Sequence, residues 1–378
     1  MSTKWTIGKK LVTSFLGVAA IAMILGVVGY YGATKSEEHV DEIGVVRLPS
    51  VDSLLVLKDA SNAIKVTQRT MLVPGTSIEE RQRQIDDVAK IREVYEEAWK
   101  IYEPLPQTDL ESDLWKRFVP AWNHWRDVNN KFYNKAKLVM ESGIPNPARV
   151  RGDLETFRGD HYALLVKLQH LVEDGKQFEG GDDHTQCNMG RWMLNYRTTN
   201  PVVKAGLRDM EAHHKKFHEA VPQVKQLVRE GKTAEAKAIL NGEMVEAREG
   251  TFAQLDNIRA EVNRVDNMAQ EAEALALGEC RDAQEEAVGL LDKIVAENRK
   301  VARHEVENAV SQAAFLKILS LSVMIAGVAA AVALGLLISR SINNALRRIA
   351  ANLSAGADQT ASAAGQVSSA SQSLAEGA

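Results

Sequence analysis

The chain has 378 residues, 45% of them hydrophobic and 25% charged, which suits a folded protein and argues against disorder. A formal net charge of −4 offers no electrostatic case for nucleic acid, and two cysteines cannot form a disulfide framework. Nine prolines are few, and those in the middle of the chain fall in clusters, as expected of long helices joined by short breaks.

Between Lys10 and Lys35 no residue is charged, and 11–31 is almost continuously apolar. That length matches the ~20 residues that cross the hydrocarbon layer as a helix. It exceeds the ~7–15 apolar residues of a cleaved signal peptide. A second such segment lies between Lys317 and Arg340, with 318–338 as its core. Lys4, Lys9 and Lys10 precede the first segment, and Arg340, Arg347 and Arg348 follow the second. The positive-inside rule then places both ends in the cytoplasm. Glu37, Glu38, Asp41 and Glu42, just beyond the first segment, agree with that orientation. The region from about 34 to 316 is expected outside a bacterial inner membrane.

No strand-like alternation appears in this outer region, and helical spacing dominates at Val51, Leu54, Leu55, Ala60 and Ile64. Pro74-Gly75 is the first break, and Ser77 with Glu80 forms a capping-box pattern that starts a second helix. Pro104 and Pro106 end it. A third helix is predicted over 109–141, carrying Trp115, Trp122 and Trp125, with an irregularity at Pro120. Aromatics at helical spacing usually pack, so these tryptophans read as core. The strongest loop signal is Gly143-Ile144-Pro145-Asn146-Pro147. From about 233 the helical pattern runs on, with Gly242 and Gly250 as candidate hinges before Gly278. A helix over 251–315 would span about 100 Å at 1.5 Å per residue, so a stalk is expected. The fold class is all-α, with two transmembrane helices flanking elongated extracytoplasmic helical bundles.

Six of the nine histidines fall between His161 and His218. His214 and His218 are four residues apart, so on a helix their imidazoles share one face and can grip one ion. Cys187 adds a soft thiolate, and mixed Cys/His sets favour zinc over calcium or magnesium. A tetrahedron needs a fourth ligand, for which His161, His170 and His184 are the candidates. The bland reading is a solvated helix of surface histidines, with Cys187 packed as a small apolar residue. Cys280 has no metal-like neighbours and reads as structural rather than as a disulfide partner of Cys187.

Cys187-x-x-Gly190-x-Trp192, followed by His214-x-x-x-His218, resembles the chemoreceptor zinc-binding domain family. The resemblance implies a four-helix bundle over about 155–235 that binds Zn2+ through one cysteine and three histidines. Cys187, His214 and His218 match three of those ligands, and His161 best fits the position of the remaining one. His170 lies too close to the motif, and His184 is the third choice. Leu164 stands where that family often has an aromatic residue. That family is also commonly cytoplasmic, whereas the topology places this copy outside.

Lys4-Trp5-Thr6-Ile7-Gly8-Lys9-Lys10 leading into the first apolar segment resembles methyl-accepting chemotaxis receptors with a four-helix-bundle sensor. Residues 339–346 are similar to the start of a HAMP relay segment, with Ala345 where proline is usual, and 357–378 resemble the first turns of a cytoplasmic coiled coil. The resulting division is a cytoplasmic N-terminus at 1–10, membrane helices at 11–33 and 316–338, and a membrane-proximal sensor bundle over 34–150 and 240–315. The zinc-binding bundle is inserted at 155–235, and 339–378 is the cytoplasmic start of HAMP and coiled coil. The resemblance implies a homodimer in membrane lipid. The hairpin that contacts a histidine kinase and coupling protein is expected beyond these residues, or the protein senses without controlling a kinase directly.

The function implied is a transmembrane chemotaxis-type receptor that responds to zinc or to an oxidant acting on Cys187. The alternative is a small-ligand receptor with purely structural zinc. An enzyme is not expected, because no P-loop, Gly-x-Ser-x-Gly, His-Glu-x-x-His or Cys-x-x-Cys-His occurs.

Overall fold

The computed structural model describes residues 5–376, and among the described residues every regular element is helical. Lys4, one of the basic residues before the first apolar segment, lies outside them, as do the last two residues of the Ala/Ser/Gln-rich stretch. The chain divides into two units, one formed by the chain up to Leu48 and from Arg299 onward, the other by Pro49–Asn298.

In the first unit, helix α1 (Ile7–Asp41) ends in a π-helical turn, Glu42–Arg47. It packs against the later part of α10 (Glu279–Glu376). Both helices are long and apolar enough to cross a membrane, with windows of mean hydropathy 2.5 and 2.6. None of the first window is buried, and side chains such as Phe15, Met23 and Ile318 face outward. The two helices run antiparallel. Lys10 Nζ donates to Ser341 Oγ, Ile21 lies against Gly327, Leu316 against Gly32, and His39 bonds both Glu305 and Gln312. Each step up α1 is a step down α10.

In the second unit, α2 (Leu48–Leu72), α3 (Ile78–Tyr102), α4 (Asp109–Glu141) and the first turns of α10 share one core. Ser77 Oγ accepts from Glu80 N–H to start α3, and Thr108 with Glu111 forms a complete capping box on α4. Trp115, Trp122 and Trp125 are buried with Phe118 against α3, so the packing reading of these aromatics is correct. Pro120 sits inside α4 without ending it. The ring removes one backbone donor, and burial of the neighbouring Phe118, Ala121 and Trp122 outweighs that loss.

The remaining helices are α5 (Pro147–Asp174), α6 (Asn188–Asn195), α7 (Pro201–Arg229), α8 (Thr233–Asn241) and α9 (Glu243–Leu277). Asn-Pro pairs start both α5 and α7. Asn146 and Asn200 cap them through side-chain oxygens that accept from Arg149 and Val203 N–H, and each proline fills the first helical position, where no donor is needed. Helix α9 joins the two parts of the unit: Phe252, Leu255, Ile258 and Val262 belong to the second core, Ala272 and Ala276 to the first. The expected uninterrupted helix over 251–315 is broken, because Gly278 leaves helical geometry between α9 and α10. Gly242 separates α8 from α9, whereas Gly250 stays within α9 and is not a hinge.

Candidate metal centre

Four side chains converge where three helices meet. His161 comes from the middle of α5, Cys187 from the N-cap of α6, and His214 and His218 from successive turns of α7. One nitrogen or sulfur from each lies within 4.8 Å of all the others. The three histidines are buried and Cys187 is half-buried. Of the other two candidates, His170 is exposed and pairs with Asp174 at 2.8 Å, away from the cluster. His184 stands beside the cluster, its ring 5.9 Å from that of His214, but it is not one of the four converging groups.

Apolar packing fixes the histidines from both sides. Phe157 and Met210, one turn before His161 and His214, belong to one core cluster, while Leu168, Phe217 and Val221 belong to another. The polar centre thus replaces one layer in a stack of hydrophobic layers. Trp192 lies on Phe157 at 5.3 Å and stacks on Tyr196 at 4.4 Å, closing the flank towards α6.

The tautomers follow from the partners. Phe157 C=O accepts from His161 Nδ1 at 2.6 Å, and Gly181 C=O accepts from His218 Nδ1 at 2.7 Å. A carbonyl can only accept, so each Nδ1 carries the proton and each Nε2 offers a lone pair. Those two Nε2 atoms face one another at 3.3 Å, and His214 Nε2 faces Cys187 Sγ at 3.3 Å. Lone pairs converging in a buried site call for a cation between them. The donor set therefore fits a tetrahedral zinc site of three nitrogens and one sulfur, and backbone carbonyls orient two of its imidazoles.

Electrostatics agrees with neutral imidazoles. Burial, with the neighbouring histidines adding to it, pushes His214 down to about 2. Burial also pushes His218 down to about 4 and lowers His161. Burial raises the Cys187 thiol, opposed by the backbone N–H groups of Gly190 and Met189. Gly190 N–H reaches Sγ at 3.1 Å, so the start of α6 already presents donors to a thiolate.

Two glycines make this geometry accessible. A Cβ on Gly190 would sit 1.8 Å from the His184 carbonyl oxygen, so only glycine lets the 184–185 backbone cross α6 this closely. Gly181 has φ +89, and a Cβ there would meet Leu164 at 2.8 Å. The carbonyls of Phe157 and Gly181 carry no signal in a side-chain pattern. Asp160 accepts from Asn188 Nδ2 at 2.7 Å, tying α6 to α5 beside His161, and this too escaped sequence reading.

The family comparisons bear on both parts of the chain. Residues 4–139 match the four helix bundle sensory module for signal transduction, and residues 161–225, beginning at His161, match the chemoreceptor zinc-binding domain. These two matches point to signal transduction. More narrowly, the chain is a chemotaxis-receptor-like protein carrying a chemoreceptor zinc-binding domain. Neither the curated proteins nor the solved structures give a match.

Proposed function

We propose that this chain is a two-span inner-membrane receptor whose extracytoplasmic zinc-binding bundle detects a chemical signal and passes it towards the cytoplasm. The observation that carries the reading is the convergence of His161, Cys187, His214 and His218 within a domain that matches the chemoreceptor zinc-binding family. His161, Cys187, His214 and His218 would hold zinc, which would supply a cross-link between α5, α6 and α7. The membrane part rests on the two outward-facing apolar helices and on basic residues at both cytoplasmic flanks. Four protein ligands would leave no open position on the metal, which favours a sensing or structural centre over a catalytic one.

Cys187 is the oxidisable member of the set. A thiolate at this position attacks hypochlorous acid to give a sulfenic acid and chloride, two electrons passing from sulfur to chlorine. Sulfenylation removes the soft ligand and frees α6 from α7. Because α9 packs on the same centre through Phe252, 6.4 Å ring to ring from His161, the change reaches the helix that leads to α10. Helix shifts of about 1–2 Å are the usual scale of such signals.

The test is metal analysis of the purified full chain in detergent. About one zinc per chain is expected, falling below a tenth of that in the Cys187→Ala, His214→Ala double variant. Equal zinc in the two proteins would refute the assignment. Adding hypochlorous acid at fixed total zinc should release the metal from the wild type, and retention would rule out the oxidant reading while leaving zinc itself as the signal.

A further inference from the structure

A cavity of about 270 Å³ lies within the second unit, between the α2–α3 turn, α4 and the α5–α9 pair. Its size approaches the lower end of the ~300–1,000 Å³ typical of small-molecule sites. Met71, Leu72, Phe132 and Val139 form an apolar wall. On the other side is Arg81, of which only 9% is exposed.

Arg81 has no counter-ion among the described residues. Its Nε is buried without a hydrogen-bond partner, and no carboxylate pairs with its guanidinium there. Burial alone acts on it, lowering its pKa with no acidic neighbour to restore it. Of the acids nearby, Asp266 on the lining is engaged with Arg151 at 2.6 Å and with Gln270 at 3.0 Å, and Glu80, next to Arg81 in the chain, with Arg83 and Gln84. A buried, uncompensated charge is costly, and a retained one calls for a partner. The start of α5 adds to the positive field, since Pro147 and Ala148 line the cavity and no acidic residue occupies that first turn. Glu273 stands exposed on the lining and disfavours a second negative charge.

We propose that this cavity binds a small organic monocarboxylate, its carboxylate paired with Arg81 and its apolar body against Met71, Phe132 and Val139. The site is separate from the zinc ligands and does not rest on the zinc reading. Its occupant bridges α3 of the sensor bundle to α5 and α9 of the zinc-binding bundle, so binding stabilises the junction between them.

The experiment is calorimetric titration and thermal unfolding of the full chain in detergent with sodium benzoate, 3-phenylpropanoate and 4-methylpentanoate. Benzamide, inorganic phosphate and sodium chloride at equal ionic strength are the controls. At least one of the three carboxylates should bind saturably and raise Tm, while benzamide and phosphate do not. Arg81→Gln should weaken that binding at least tenfold with zinc content unchanged and without lowering the unliganded Tm, because it removes an unpaired buried charge. Ala136→Leu, which fills the cavity and keeps Arg81, should also abolish binding, and it serves if Arg81→Gln fails to fold. No saturable binding by any of the three, equal binding of phosphate, or full affinity in Ala136→Leu would overturn the proposal.

Discussion

At Gly190 the chain passes so close to the His184 carbonyl that a single methyl group has nowhere to go, since the obstructing atom is backbone. Gly190→Ala is therefore expected to cost about 1–3 kcal/mol by overpacking. It should also weaken zinc binding by roughly 10–100-fold, the usual effect of disturbing a ligand's support. Competition against a chromophoric chelator measures the second effect, and unchanged affinity would show that the turn does not position Cys187. The histidines make a second prediction, for the metal-free protein. An unfolded histidine protonates near 6.5, whereas burial holds folded His218 near 4 and His214 near 2. Below 6.5 the unfolded chain thus binds more protons, so stability falls as pH falls, through about 4 for His218 and on towards 2 for His214. Zinc widens the loss, because protons compete for the same nitrogens. Chemical denaturation at pH 7.5 and 5 checks the sign; equal midpoints with chelator present would contradict it. Cys187, His214 and His218 were legible from ligand type and spacing, whereas His161 was singled out only by the family resemblance. The carbonyls that orient His161 and His218 were not legible, because any residue can supply them.

Helices α3 and α4 owe their starts to short local signals that sequence displays plainly, and their predicted limits agree with the structure for that reason. Thr108→Ala should remove the α4 capping box and cost about 1 kcal/mol, within the ~0.5–2 kcal/mol range for such caps, with zinc content unchanged. Thermal unfolding of the two proteins measures it, and an unshifted Tm would mean that tertiary packing alone holds the helix start. Other element boundaries depended on tertiary context. Pro120 does not interrupt α4, since its neighbours are locked into an aromatic core with Trp99 and Trp122. Gly250 is not a hinge, because the His213 ring packs where its Cβ would be. Gly242 and Gly278 do break the chain, and nothing in the pattern of helix formers distinguishes these glycines from Gly250.

The molecule as a whole combines a sensory bundle, a zinc-binding bundle and two apolar helices, and the all-helical class follows from periodicity alone. The antiparallel register of α1 and α10, from Lys10–Ser341 to His39–Glu305, is what two ends on one side of a membrane require. A periplasm-dependent phosphatase reporter inserted in the loop at 143–146 should accordingly be active, and one fused after Arg348 inactive; the reverse pattern would place the zinc-binding bundle in the cytoplasm. What sequence could not supply was the junction of the two bundles, because the cavity beside Arg81 is assembled from five helices, α2 to α5 together with the distant α9. The candidate metal centre is the feature on which the proposed sensory role turns. Its most direct test is X-ray absorption at the zinc edge on the purified full chain. Three nitrogen ligands at about 2.0–2.1 Å and one sulfur at about 2.3 Å are predicted, the sulfur disappearing in Cys187→Ala. A first shell of oxygen ligands alone, or a sulfur signal that survives the substitution, would contradict the account.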